Sequence, residues 1–417
     1  MRRIGLLPHA DLPHILPFFR LARALRKLGH DVYVFGSDIV TLTGSGRMGH
    51  RVAWSGQIEI FQLQGVSAVH QNRDMHFCDW LRKEMQEKAI EILVLDAVWQ
   101  GLAYEFINDR QISVLINHAG LPDFRSADIP SWWFVHPDHP RSLRQDARRA
   151  NEGVEAAGGG IRNMMSAVKR LTQAGRVIPD EFDFGCGEFA NLPAKRAVCF
   201  CPDVEFPEER GRTEYLGSQL AGVDDIDRQT LPAEIVELGT TDRPLIACVF
   251  GTSGMCTSVE QLWLASACKR LAEHFSESNV IAVMPDQTQN KLRQNALPPN
   301  LRLFKWIPLW ELLDSWSGAK VLVSTPGVGA FREAVYSATP IVAVPRRVDQ
   351  VGAAARVEYF GLGKAWSRNR LPRIDVLVEN VTAVFTDSSI KTRCAELCDK
   401  ARAFDAGNPL QRVIDAL

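Results

Sequence analysis

Three groups of residues in this chain have the types and spacing that chemistry needs. His14 stands three residues before Pro17, at the mouth of a helix expected over residues 16–28. Proline suits a first helical turn, where its missing N–H costs no hydrogen bond. The positive end of the helix dipole disfavours a charged imidazole, which suits His14 to act as a neutral general base near pH 7. Asp96 closes the apolar run at residues 92–96, at the carboxyl edge where parallel α/β sheets build their sites. Alone it equally suits capping of the next helix; beside His14 it can orient the ring and stabilise its protonated form. Gly327 and Gly329 open a helix expected over residues 330–337. A helix N-terminus with small residues is a natural phosphate cradle.

These residues need a scaffold, and the chain alternates strand and helix signals in two halves. The first half predicts a strand at residues 4–7, a loop at 9–14 and then the helix, with Leu16, Phe19, Ala22, Leu25 and Leu28 at helical spacing. Gly29 ends it and a strand follows at 31–35. Apolar runs at 58–63, 92–95 and 112–116 predict buried parallel strands, and strands near 197–200 and 215–217 close this half. Residues 125–160 break the rhythm with Trp132, Trp133, Phe134, Pro130, Pro137, Pro140 and three consecutive glycines at 158–160. A long irregular insertion of this kind is commonly functional. Residues 218–243, rich in Asp, Gly and Thr, predict a linker. Strands at 245–250, 280–284, 301–304, 321–324 and 341–344 then form a second alternation. Residues 390–417 are mostly helical, broken near Gly407, Asn408 and Pro409.

Bulk properties narrow the class. At 417 residues the chain exceeds what one core usually serves, so two domains are expected. Hydrophobic content of 46% with 23% charged residues is that of an ordinary globular protein. A formal net charge of −1 gives no footprint for nucleic acid or an anionic membrane. No apolar run approaches the roughly 20 residues of a membrane span. The opening residues are cut short by Pro8, so they predict a strand and not a secretion signal, with a cytoplasmic location. Nine cysteines include Cys199 with Cys201 and Cys394 with Cys398, neither pair having a convincing set of further ligands. Reduced, buried thiols and no metal site are the expectation.

The ordered set Trp306, Pro308, Gly327, Glu333, Pro340, Pro345, Asp349 and Gln350 resembles the donor-sugar signature of family 1 glycosyltransferases. This is the UDP-glycosyltransferase-like group of the GT-B superfamily, and the likeness is to its bacterial natural-product type. It extends into the first half, where Pro17 precedes Gly29-His30 by the twelve residues that follow the family's His-x-x-Pro base motif. That spacing favours His14 over His9. The resemblance implies an α/β GT-B fold, two Rossmann-like domains facing a central cleft. Residues 1–217 would bind the acceptor, 218–243 would link, 244–390 would bind the nucleotide sugar, and 391–417 would form a helix crossing back to the first domain.

The same resemblance assigns expected roles. Trp306 would stack on the base, the backbone of Ile307, beside Pro308, would meet its polar edge, and Glu333 would accept the ribose hydroxyls. Thr252, Ser253, Gly327, Gly329 and Ala330 would surround the diphosphate, with Asp349 and Gln350 on the sugar hydroxyls. Three positions depart from the pattern: Thr325 replaces the usual phosphate-binding His, Pro326 the first Gly, and Ala330 a Ser or Thr. Losing a hydrogen bond to a charged group costs about ten- to a hundredfold in binding. Arg346 and Arg347 are the nearest compensating cations within the motif.

The implied activity is that of an inverting hexosyltransferase acting on a UDP- or dTDP-sugar, with His14 as base and no cofactor or metal. Its partners are the nucleotide sugar and a small acceptor, as in antibiotic biosynthesis; a homodimer stays open. Trp80, Trp99, His118, Trp132, Trp133 and Phe134 are candidates for an acceptor surface, the aromatics serving equally as a domain-packing patch. Two other readings remain: a catalytically silent GT-B helper of a partner enzyme, and a GT-B nucleotide-sugar epimerase.

Overall fold

The computed structural model describes residues 1–8, 12–36, 39–42, 50–53, 67–70, 77–97, 103–106, 112–118, 182–183, 188–189, 194–206, 213–220, 231–250, 257–294, 296–346, 350–366 and 371–417. Within them the chain builds two parallel sheets, each in its own α/β domain. The first contains β1 (Arg3–Leu7), β2 (Asp31–Gly36), β5 (Ser67–His70), β6 (Ile92–Asp96), β7 (Ser113–His118), β10 (Lys195–Val198) and β11 (Glu214–Tyr215). Two short antiparallel pairs, β3 (Ile39–Leu42) with β4 (His50–Ala53) and β8 (Phe182–Asp183) with β9 (Glu188–Phe189), lie apart from it. The second sheet contains β12 (Leu245–Val249), β13 (Asn279–Val283), β14 (Leu301–Phe304), β15 (Lys320–Ser324), β16 (Ile341–Ala343) and β17 (Gly363–Ala365).

Strand order locates the sites before any side chain is considered. The first sheet runs β11-β10-β7-β6-β1-β2-β5, so succession reverses between β1 and β6. The second runs β14-β13-β12-β15-β16-β17, with its reversal between β12 and β15. Chains leaving the two central strands at such a reversal diverge to opposite faces, opening a crevice beyond the carboxyl ends. All four central strands are near-continuous apolar runs, as burial on both faces requires.

The expected helix at 16–28 starts earlier, at Leu12, and runs to Lys27. Pro13 provides the reason: proline is favoured at a helix start, so the helix begins there and Pro17 falls within it. Phe18, Phe19, Leu21, Ala22 and Leu25 pack this helix onto the first sheet. The stretch expected as a plain linker carries a helix, Ala233–Gly239, whose Ile235 joins the second domain's core. The strand expected at 58–63 lies outside the described residues. Helix Ser388–Ala406 packs against helix Val328–Tyr336 of the second domain. Helix Pro409–Asp415 instead places Leu410, Val413 and Ile414 in the first domain's core. Among the described residues, no helix is long and apolar enough to cross a membrane.

Candidate active site

The first crevice is built by the ends of β1 and β6. The parallel register pairs Leu7 with Leu95, so the chain leaves β1 beside Asp96. It then enters the helix that begins at Leu12 and carries His14 in its first turn. That first turn, and not the residue before it, is the position of His14; the dipole acts within it all the same. The side chain of His14 lies outside the described groups. Asp96 is fully buried and pairs in register with Asn117 of β7, also fully buried. The thiol of Cys199 approaches the Asn117 side-chain oxygen at 3.7 Å.

The second crevice is stitched by two hydroxyls. Ser324 donates to the carbonyl of Val249 at 2.5 Å, and Thr325 donates to that of Phe250 at 2.7 Å. Both bonds tie the end of β15 to the end of β12. Thr325 is 2% exposed, so it serves the backbone at the position where the family's histidine would meet phosphate. Helix Val328–Tyr336 starts at Gly327 with no side-chain cap. The N–H groups of a first helical turn have no acceptors within the helix, so this end is available to an anion. A Cβ built on Gly329 meets nothing within 4 Å among the described residues, which leaves open space there above the turn.

Around this crevice, Trp306 follows β14 and is 48% exposed, unlike a core tryptophan. Ile307 is buried beside it, and Pro308 precedes helix Leu309–Ser315. Gln350 is buried, its side-chain oxygen accepting from the Arg346 amide at 2.8 Å. Arg346 does not stand free for a diphosphate: its Nε donates to Glu260 at 3.2 Å. Glu260 also closes the capping box of helix Ser258–His274 with Thr257. Thr252, Ser253, Arg347 and Asp349 lie outside the described residues. So do Trp99, Trp132, Trp133 and Phe134, and the side chain of His118. Trp80 belongs to the core, edge-on to Phe35 at 6.1 Å, which removes it from any acceptor surface.

The two crevices share a seam along helix Val328–Tyr336. Glu333, 8% exposed, receives Arg20 Nη2 from the first domain at 2.7 Å. Arg332 donates to the carbonyl of Cys199 at 3.0 Å, and burial lowers its pKa, with the charge of Arg20 adding to the effect. Tyr336 donates to Asp405 at 2.9 Å, and Asp405 also receives the hydroxyl of Ser218 at 2.5 Å. Arg20 was not among the residues singled out from sequence. Its only local signal is a charge set between the buried Phe19 and Leu21.

The six described cysteines are free and buried. Burial pushes the thiols of Cys199 and Cys201 up to about 11 and about 12, which keeps them protonated and inert. Among the described residues, no group of three His, Cys, Asp or Glu is arranged to hold a metal ion.

Residues 270–410 match the family model described as "Erythromycin biosynthesis protein CIII-like, C-terminal domain". The oleandomycin glycosyltransferase of Streptomyces antibioticus is 30% identical over 97 residues, covering 23% of this chain and 22% of that protein. The chain therefore aligns with about a fifth of the length of that relative. By structure, it resembles the glycotransferase of kitacinnamycin with a TM-score of 0.65 at 17% identity, covering 98% of this chain and 96% of the other. It also resembles LpCGTa, solved in complex with UDP, with a TM-score of 0.64 at 16% identity, covering 100% and 98%. At such identities the structural likeness establishes the GT-B fold.

Proposed function

We infer that this chain, which belongs to the family 1 glycosyltransferases, transfers a sugar from a UDP- or dTDP-sugar to a hydroxyl of a small acceptor with inversion. In this reading His14 takes the acceptor proton as the new bond forms at the anomeric carbon. The bond from that carbon to the diphosphate breaks in the same step. Backbone dipoles at the start of helix Val328–Tyr336 stabilise the departing diphosphate, and Asp96 orients His14. Trp306, Glu333, Asp349 and Gln350 hold the base, ribose and sugar.

The observation that carries this reading is the open, uncapped N-terminus of helix Val328–Tyr336 at the reversal between β12 and β15. There a helix start without a side-chain cap, the small residues Gly327, Gly329 and Ala330, and space above Gly329 coincide. The relatives' names point to a natural-product acceptor, a class that suits an aromatic-rich first domain. The buried, unpaired thiols suit a reducing compartment and support a cytoplasmic location.

His14→Ala is expected to lower transfer by about 10²- to 10⁴-fold, the usual contribution of a general base. Nucleoside-diphosphate affinity should be nearly unchanged, since the base acts only on the acceptor. Product chromatography at wild-type turnover would remove His14 from the role. Asp96→Asn should slow transfer less, because it orients the base without taking the proton. The silent-helper reading draws on one observation: the Thr325 hydroxyl serves Phe250. Nucleotide release only with acceptor supports transfer, release without acceptor an epimerase, and no release under any condition the helper.

A further inference from the structure

The ion pair between Arg20 and Glu333 joins residues 313 apart in sequence, and it joins the two crevices. Arg20 lies six residues beyond His14 on the same helix, about 9 Å further along its axis. Glu333 lies in the second turn of the helix whose N-terminus forms the anion cradle. The side chains of Arg20 and Glu333 are 19% and 11% exposed, so the pair sits at the wall of the cleft and not in open solvent. Arg20 engages only Oε1 of Glu333; Oε2 has no hydrogen-bond partner among the described residues. A glutamate otherwise free to change rotamer is held with one oxygen occupied and one uncommitted. Neighbouring Arg332 instead directs its Nη1 to the Cys199 carbonyl.

We propose that Arg20 is a positioning residue for the nucleotide: by fixing Oε1 of Glu333 it presents Oε2 to the ribose 3′-hydroxyl. The contact then depends on the base-bearing helix being seated against the donor domain, so that a nucleotide is gripped fully only when His14 is in place. This rests on the reading above, in which Glu333 accepts ribose hydroxyls. The 3′-hydroxyl is the informative group because uridine and thymidine diphosphates both carry it. Arginine suits the task, since its planar fork fixes a carboxylate in orientation, whereas the point charge of lysine does not.

The test is calorimetric titration of UDP and 3′-deoxy-UDP into the wild-type chain, Arg20→Ala and Arg20→Lys, with a thermal melt of each variant. Wild type should prefer UDP by about tenfold or more, the scale of one hydrogen bond to a charged group. In Arg20→Ala that preference should fall to about twofold or less, and Arg20→Lys should recover only part of it. Should Arg20→Ala fail to fold, the Lys variant carries the same comparison. A merely structural role would lower affinity for both ligands equally and leave the ratio intact, which overturns the proposal. Wild type binding both nucleotides equally also overturns it while leaving the donor site standing. Wild type binding neither nucleotide removes the donor reading itself.

Discussion

Arg356 and Glu205 form an ion pair in which the side chains are 1% and 0% exposed. Arg356 belongs to helix Gln350–Tyr359 of the second domain, and Glu205 follows the last turn after β10 of the first. The guanidinium also donates to the Gly352 carbonyl at 3.1 Å and lies 4.7 Å over the ring of Phe206. Removing one member of such a pair leaves an uncompensated buried charge and costs about 3–5 kcal/mol. Arg356→Met and Glu205→Leu should each lower unfolding free energy by that amount in a denaturant titration. The double substitution should lose less than the sum of the two, because no lone charge remains. Additive losses would show that the charges do not depend on one another.

Thr325 gives a second test. Its hydroxyl closes the β12–β15 crevice from below, buried against Phe250. Thr325→Val removes the donor and leaves the Phe250 carbonyl unsatisfied, an expected loss of about 1–3 kcal/mol in stability. Thr325→His, which restores the family's usual residue, must fit an imidazole where only a methyl and a hydroxyl now pack. It is expected to destabilise the chain without raising nucleoside-diphosphate affinity. A tenfold gain in affinity would show that the crevice still accommodates the family's phosphate contact.

Gly329 separates folding from binding. Among the described residues, a methyl group there meets no atom within 4 Å beyond its own helix turn. Alanine is also the better helix former, by about 1 kcal/mol. Gly329→Ala should therefore leave the melting temperature unchanged or raise it. Nucleoside-diphosphate affinity should fall in the same variant, since the added methyl occupies the space into which a phosphate would settle. Unchanged affinity would place the anion elsewhere.

Asp405 makes stability depend on pH with a definite sign. It accepts the Ser218 amide at 3.1 Å, the Ser218 hydroxyl and the Tyr336 hydroxyl, yet burial outweighs these and raises its pKa above the usual aspartate value. A carboxyl group with a raised folded pKa binds its proton more tightly in the native state. Its contribution is fully present below the unfolded pKa and is lost as pH rises through the folded value. Wild type should thus gain stability relative to Asp405→Asn as pH falls from 7 towards 4 in urea titrations. The opposite trend would mean that the hydrogen bonds outweigh burial.

The parts of this fold written in local sequence were those with strong apolar runs. β6, β12 and β15 fall within a residue or so of the expected strands, since four or five consecutive buried residues leave few alternatives. β17 has the sequence Gly363-Lys364-Ala365, with neither length nor branched side chains to announce it. It exists because the edge of β16 supplies its hydrogen bonds. The helix starts at Leu12 and not at residue 16 because Pro13 suits a first helical turn as well as Pro17 does. Arg20 was beyond reach for a different reason. Its partner lies in the other domain, and no periodicity within one helix reports a contact that forms only when two domains meet. Thr325 stands where the resemblance expects a phosphate-binding His, and its hydroxyl bonds the Phe250 carbonyl, a contact between strand ends that local sequence does not report.

The return of helix Pro409–Asp415 to the first domain has a consequence for how the protein is made. Leu410, Val413 and Ile414 join the first domain's core, and Ser113 donates to the Leu417 carbonyl across 304 residues of sequence. At ribosomal speeds of about 5–20 residues per second, roughly 15–60 s separate the synthesis of those two groups. Throughout that interval the nascent first domain exposes the apolar cleft that this helix will fill, while the second domain is synthesised and can fold as a unit. The domain that begins first is therefore completed last, and its vulnerability to chaperones, proteases and aggregation is set by the time needed to translate its partner.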